Sequence, residues 1–212
     1  VLKPGDFVLF QGDSITHAFR KPEEVGTSYR MGAGWAMMVS AQLQAQRPDW
    51  KLTFENRGEC GHGVDDLLTR WRQDCLDLKP DVVSLLVGVN DTNSRMKYGQ
   101  GNDAAQFRQR YARLLATTRQ ELPEVRLILC EPFLLPTGRV TGAWLDDLAP
   151  RRQAVRELAA EFRAVFVPLQ QAFLDAAAAT GESYWLFDGI HPNAAGQWLI
   201  MQAWLAAVGA RP

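Results

Sequence analysis

Val82-Val83-Ser84-Leu85-Leu86-Val87 runs from Asp81 to the turn Gly88-Val89-Asn90-Asp91 and is apolar at nearly every position. A strand with one wet face alternates apolar and polar residues. An almost unbroken apolar run of this length therefore reads as a strand covered on both faces, as at the centre of a parallel sheet. Val125-Arg126-Leu127-Ile128-Leu129-Cys130 repeats the pattern. Strand-length segments fall at Asp6–Gln11, Lys51–Asn56, Asp81–Gly88, Val125–Glu131 and Ala164–Leu169, with helix-period segments between them. Helices are expected over Gly34–Gln46, Asp65–Asp77, Pro150–Phe162 and Gln170–Ala179. Two more would bury one face each, through Phe107, Tyr111, Leu114, Leu115 and Thr118, and through Ala195, Trp198, Leu199 and Ala203. Parallel strands need long crossovers, so this alternation predicts a three-layer α/β/α sandwich around a central, mostly parallel five-stranded sheet.

The bulk properties agree with such a domain. With 212 residues, the chain is closer to one domain of ~150 residues than to two, so residues 1–212 are read as a single domain. Apolar residues make up 47% and charged residues 22%, which excludes a disordered or fibrous chain. Lys and Arg number 23 against 24 Asp and Glu, and the net charge of −1 lacks the basic excess of a nucleic-acid binder. The basic cluster Arg151, Arg152 and Arg156 reads as a solvated helix face. No apolar run approaches the ~20 residues of a membrane span, and no membrane partner is expected. The first residues, Val1-Leu2-Lys3-Pro4-Gly5-Asp6, do not resemble a secretory leader. Cys60, Cys75 and Cys130 are odd in number and widely spaced, the pattern of a reduced, cytoplasmic protein.

Ligands of open parallel sheets bind beyond the carboxyl ends of the strands. There the sequence places Gly12-Asp13-Ser14, then Asn56-Arg57-Gly58-Glu59-Cys60-Gly61-His62-Gly63, then Gly88-Val89-Asn90-Asp91. After the last strand comes Asp188-Gly189-Ile190-His191-Pro192. Acyl transfer needs these groups: a serine hydroxyl, a histidine to take its proton, a carboxylate to orient the histidine, and donors aimed at the oxyanion. Each segment also has a plainer reading. Gly-Asp-Ser can cap a helix, Asp-x-x-His can open one, the glycines can shape a turn, and Asn90 can satisfy loop backbone. His17, three residues after Ser14, is expected to point past the hydroxyl, and His62 to lie on a solvated turn or line the pocket. Trp185 and Phe187 immediately precede Asp188 and are placed at the pocket wall, as is Asp13. The segments Thr16–Trp35 and Asn93–Asn102 are expected at its rim.

Taken together, four blocks in this order resemble the SGNH hydrolases, or GDSL-type esterases, in the branch of carbohydrate acetylesterases that includes acetylxylan esterases. The resemblance runs from about Phe7 to Leu205. It implies a flavodoxin-like fold, Ser14 as nucleophile, His191 as base and Asp188 as its orienting carboxylate. It further implies an oxyanion hole made by the backbone N–H groups of Ser14 and Gly61 and the side chain of Asn90. Ile15 stands where the name-giving motif has Leu. Cys60 stands where a small residue is usual, and is read as an inert packed cysteine. The resemblance implies a serine esterase for short, foremost acetyl, esters of small molecules such as acetylated saccharides, with no cofactor or metal and with self-association into a homo-oligomer. Two rivals stay open at this point. One is a metal-dependent phosphoesterase using Asp13, Asp91, Asp188 and His191. The other is a non-catalytic carbohydrate-binding domain.

Overall fold

A computed structural model of the chain describes residues 1–210. Strands β1 (Phe7–Gly12), β2 (Thr53–Asn56), β3 (Val82–Leu86), β4 (Arg126–Cys130) and β5 (Val165–Val167) form one sheet in the order β2-β1-β3-β4-β5. All four pairings are parallel, with Val8 beside Val82 and Val82 beside Arg126. The five strand expectations are met, each within a few residues at its ends. The helices are α1 (Ser14–His17), α2 (Trp35–Gln46), α3 (Val64–Asp74), α4 (Val89–Tyr98), α5 (Ala104–Glu121), α6 (Gly142–Glu161), α7 (Gln170–Thr180) and α8 (Ala194–Ala207).

Strand alternation splits the core into two layers. Val8, Phe10, Val82, Ile128 and Cys130 face α2, α7 and α8 through Trp35, Val39, Phe173, Ile200 and Trp204. Leu9, Val83, Leu85, Leu127 and Leu129 face α3, α5 and α6 through Leu67, Trp71, Tyr111, Leu115 and Leu158. Each such aliphatic side chain, fully withdrawn from water, contributes ~1.5–3 kcal/mol. The strand order reverses direction between β1 and β3, and the crossovers from these two strands part there, opening a crevice at their carboxyl ends. Among the described residues no helix is long and apolar enough to cross a membrane.

Several local expectations are corrected. α6 begins eight residues before the expected start at Pro150, so Pro150 sits inside the helix. One missing N–H is tolerated because Leu148, Arg151, Ala154 and Val155 on both sides are buried. Arg151 is no solvated cation: its side chain is 1% exposed and donates to the Asp147 carboxylate at 2.6 Å. The inward face of α8 is Gly196, Gln197, Ile200, Met201, Trp204 and Leu205, whereas Trp198 is half exposed. That helix is apolar almost all round, so periodicity does not choose its face. Asn93–Asn102 lies largely in and just after α4, tied to α6 by the Arg95–Asp147 pair at 3.1 Å, and does not border the crevice.

Candidate active site

β1 delivers Ser14. Gly12 crosses close to its neighbours, and a Cβ there would come within 2.3 Å of the Leu86 carbonyl oxygen. Its φ of +155° also suits glycine. Asp13 then caps α1, its Oδ1 accepting the Ile15 N–H at 3.0 Å. The Asp13 side chain is fully buried, its Oδ2 lacks a partner, and burial pushes the carboxyl up to about 7. Asp13 therefore supports the serine from beneath and does not line the pocket as expected.

The segment after β2 is pinned from both sides. Buried Asn56 donates through Nδ2 to the Thr16 and Met31 carbonyls at 2.7 and 2.9 Å, while its Oδ1 accepts the Gly58 N–H at 2.9 Å. Gly58 packs on α1 so tightly that a Cβ would meet the His17 nitrogen at 2.5 Å. Gly61 is different, with a left-handed φ of +81° and open space where a Cβ would stand. Asn90, on the first turn of α4, donates through Nδ2 to the His62 carbonyl at 3.1 Å, which leaves a second amide N–H on the same nitrogen.

The fourth segment is a tight turn closed by the Phe187 N–H on the His191 carbonyl at 3.1 Å. Asp188 Oδ1 accepts the N–H groups of Ile190 and His191 at 3.0 and 2.7 Å, and Oδ2 lies 2.9 Å from His191 Nδ1. Burial alone would raise this carboxyl. The His191 N–H and imidazole together with the Ile190 N–H outweigh it and hold Asp188 below the usual carboxylate range. His191 Nε2 lies 2.9 Å from Ser14 Oγ. The turn is seated by the Leu135–Val140 loop, where a Cβ on Gly189 would meet the Thr137 carbonyl oxygen at 2.4 Å and one on Gly138 the Asp188 backbone at 2.8 Å.

A family model, that of the GDSL-like lipase/acylhydrolase family, matches residues 10–199. The chain belongs to this family. The acylhydrolase is a carboxylic ester hydrolase. It is 30% identical over 208 residues to an acetylxylan esterase of Geobacillus stearothermophilus, covering 97% of this chain and 94% of that one. A GDSL-like lipase candidate from Parabacteroides merdae superposes with a TM-score of 0.95 at 33% identity, over 100% and 99% of the two chains. A crystal structure of an acetylxylan esterase from G. stearothermophilus gives 0.89 at 27% identity, over 98% and 95%.

In the acylhydrolase, Ser14, Gly61, Asn90, Asp188 and His191 border one open cleft of ≈ 790 Å³, together with Phe187. Phe187 stacks on the His191 ring with centroids 5.7 Å apart. Trp185 does not border the cleft, because its indole N–H turns to the Thr180 hydroxyl at 2.8 Å. His62 is outside it too, its Nδ1 accepting from Arg70 Nε at 3.1 Å. Of Thr16–Trp35, only His17, Ala18, Phe19 and Ala33 reach the cleft. Burial and the Arg20 charge lower the pKa of His17. Cys60 is exposed at the cleft, not packed away. Asp13 is buried as the cap of α1 and Asp91 is buried with its carboxylate accepting the Val64 N–H, and among the described residues no three His, Cys, Asp or Glu side chains converge as metal ligands.

Sequence reasoning missed two cations of the acylhydrolase. Arg139 borders the cleft, its Nη2 3.4 Å from Asp188 Oδ2. Arg70 on α3 donates to the carbonyls of Gly12 and Arg57 at 3.2 and 2.8 Å, as well as to His62. Neither position follows a strand end, so no local pattern marks it.

Proposed function

We propose that this acylhydrolase, acting as one catalytic domain, removes short acyl groups, acetyl foremost, from carbohydrate esters by a two-step serine mechanism. One juxtaposition carries the mechanism: Ser14 Oγ, the His191 ring and the Asp188 carboxylate stand in series, with both links 2.9 Å. The substrate class is supported by the acetylxylan esterase relative. Ser14 Oγ attacks the ester carbonyl while its proton passes to His191 Nε2, and Asp188 stabilises the resulting imidazolium. The oxyanion is met by the N–H groups of Ser14 and Gly61 and by the free amide N–H of Asn90. Collapse breaks the carbon–oxygen bond to the alcohol, which leaves with the proton from His191. Water, deprotonated by His191, then attacks the acyl carbon; the bond to Ser14 Oγ breaks, His191 returns the proton to that oxygen, and the acid is released.

Initial rates on p-nitrophenyl acetate test this. Ser14→Ala lowers kcat on the order of 10⁴-fold or more with circular dichroism unchanged. Equal rates in the variant would make Ser14 a structural cap. Among acetate, octanoate and dodecanoate esters, acetate turns over fastest; the opposite order removes the short-chain assignment.

A further inference from the structure

Phe19 combines two unusual properties. The residue is 88% exposed although it borders the cleft. Its backbone is left-handed, φ 60°, directly after a second left-handed residue, Ala18, at φ 41°. For an L-residue this conformation is strained, and it persists only where the surroundings enforce it. They do so strongly. The Ala18 N–H donates to the Ser14 carbonyl at 3.0 Å, the Ala18 carbonyl accepts the Ala33 N–H at 2.7 Å, and the Arg20 N–H donates to the His17 carbonyl at 2.8 Å. The buried Arg20 side chain donates to the Gly58 carbonyl at 2.8 Å and pairs with Glu59. Gly32 closes the clamp, since a Cβ there would meet the His17 and Ala18 carbonyl oxygens at 2.6 and 2.7 Å. A strained segment is thus fixed between the Gly58–Gly61 loop and the backbone of Gly32 and Ala33. What it delivers is an aromatic ring held in water at the edge of the cleft.

Leaving that ring in water forgoes what its burial would contribute to folding, and its place at the cleft makes it available to a bound substrate. An acetyl group needs only the space beside Ser14. A ring as exposed as Phe19 is reached by the larger part of the ester, the leaving alcohol. We propose that Phe19 determines specificity for that alcohol: its face receives the C–H face of a pyranose ring in the leaving group. A pyranose carries polarised C–H groups on a ring face and hydroxyls around its rim. The former suit the electron-rich face of an aromatic ring. The latter suit a guanidinium such as that of Arg139, which borders the same cleft. This proposal deepens the carbohydrate-ester function and rests on it.

Steady-state kinetics on an acetylated xylo-oligosaccharide and on methyl acetate, for the wild type, Phe19→Ala and Phe19→Trp, test the assignment. In Phe19→Ala the ratio of kcat/KM for the oligosaccharide to that for methyl acetate falls about tenfold, through KM, the scale of one lost ring contact. Phe19→Trp restores it. Inhibition of methyl acetate hydrolysis by free xylotriose weakens about tenfold in Phe19→Ala as well. A ratio that moves less than about twofold overturns the proposal. So does a selective loss on octanoate esters, or a smaller sedimenting species with the ratio unchanged, which would make Phe19 a contact between copies of the chain. A wild type that hydrolyses methyl acetate but no acetylated saccharide removes the carbohydrate function itself, and the proposal with it.

Discussion

Asp13 separates the last strand residue of β1 from the serine, and its two oxygens lead different lives. One caps α1 through the Ile15 N–H, and the other is buried without a partner. Burial, reinforced by Asp91, pushes the carboxyl from 3.8 up to about 7. Between those values the folded chain holds the proton that the unfolded chain releases, so folding stability falls as pH rises from about 4 to about 7 and stays reduced above. Asp13→Asn keeps the capping oxygen and cannot ionise. Relative to the wild type, the variant gains a few kcal/mol in unfolding free energy between about pH 5 and about pH 8.5 by urea titration. An offset independent of pH would show that Asp13 does not titrate in this range. The residue type and its place before Ser14 were legible in the sequence. Its direction was not, since a Gly-Asp-Ser turn serves a cap beneath the serine as well as a wall beside it.

Among the elements, α3 acts through Arg70. One guanidinium joins this helix to the end of β1 through the Gly12 carbonyl and to the loop after β2 through the Arg57 carbonyl and His62 Nδ1, with Asp74 as counter-ion at 3.0 Å. The same loop carries Gly61 and offers the His62 carbonyl to Asn90. Arg70→Met keeps the packing volume and removes the donors. It lowers kcat on p-nitrophenyl acetate about 10–100-fold while KM moves less than about threefold, because the proposed oxyanion donors, Gly61 N–H and Asn90, lose alignment without being removed. An unchanged kcat with native circular dichroism would refute this positioning role. Periodicity located α3, whose expected span Asp65–Asp77 overlaps the observed Val64–Asp74. It could not show which of the arginines turns inward, because a long flexible side chain reaches partners far away in sequence. α6 shows the converse: Pro150 is a strong local start signal, overruled by burial on both sides of it.

Across the molecule, the two core layers meet through the central strand β3, and Trp204 ties α8 to it. The indole N–H donates to Ser84 Oγ at 2.9 Å, and the ring lies 5.8 Å from Phe10. Trp204→Phe leaves that hydroxyl poorly paired and opens a small void. It costs about 1–3 kcal/mol and lowers Tm by several degrees in a thermal melt. The kcat falls less than about threefold, because the Phe187–His191 turn is seated by the Leu135–Val140 loop at the other end of the helix. A large loss of kcat without loss of stability would contradict that division. The sequence determined the layers and the sheet, because strands buried on both faces must be apolar without interruption. It also determined which segments meet at the carboxyl edge, because three of them directly follow a strand and all four carry groups that acyl transfer requires. Only the tertiary structure decided which face of α8 turns inward and that Asp13, His62 and Trp185 turn away from the cleft. The same holds for the clamp that exposes Phe19 and for the partners of Arg70, Arg139 and Arg151. Those outcomes depend on contacts between residues distant in the chain, whereas local pattern records only the periodicity of one element at a time.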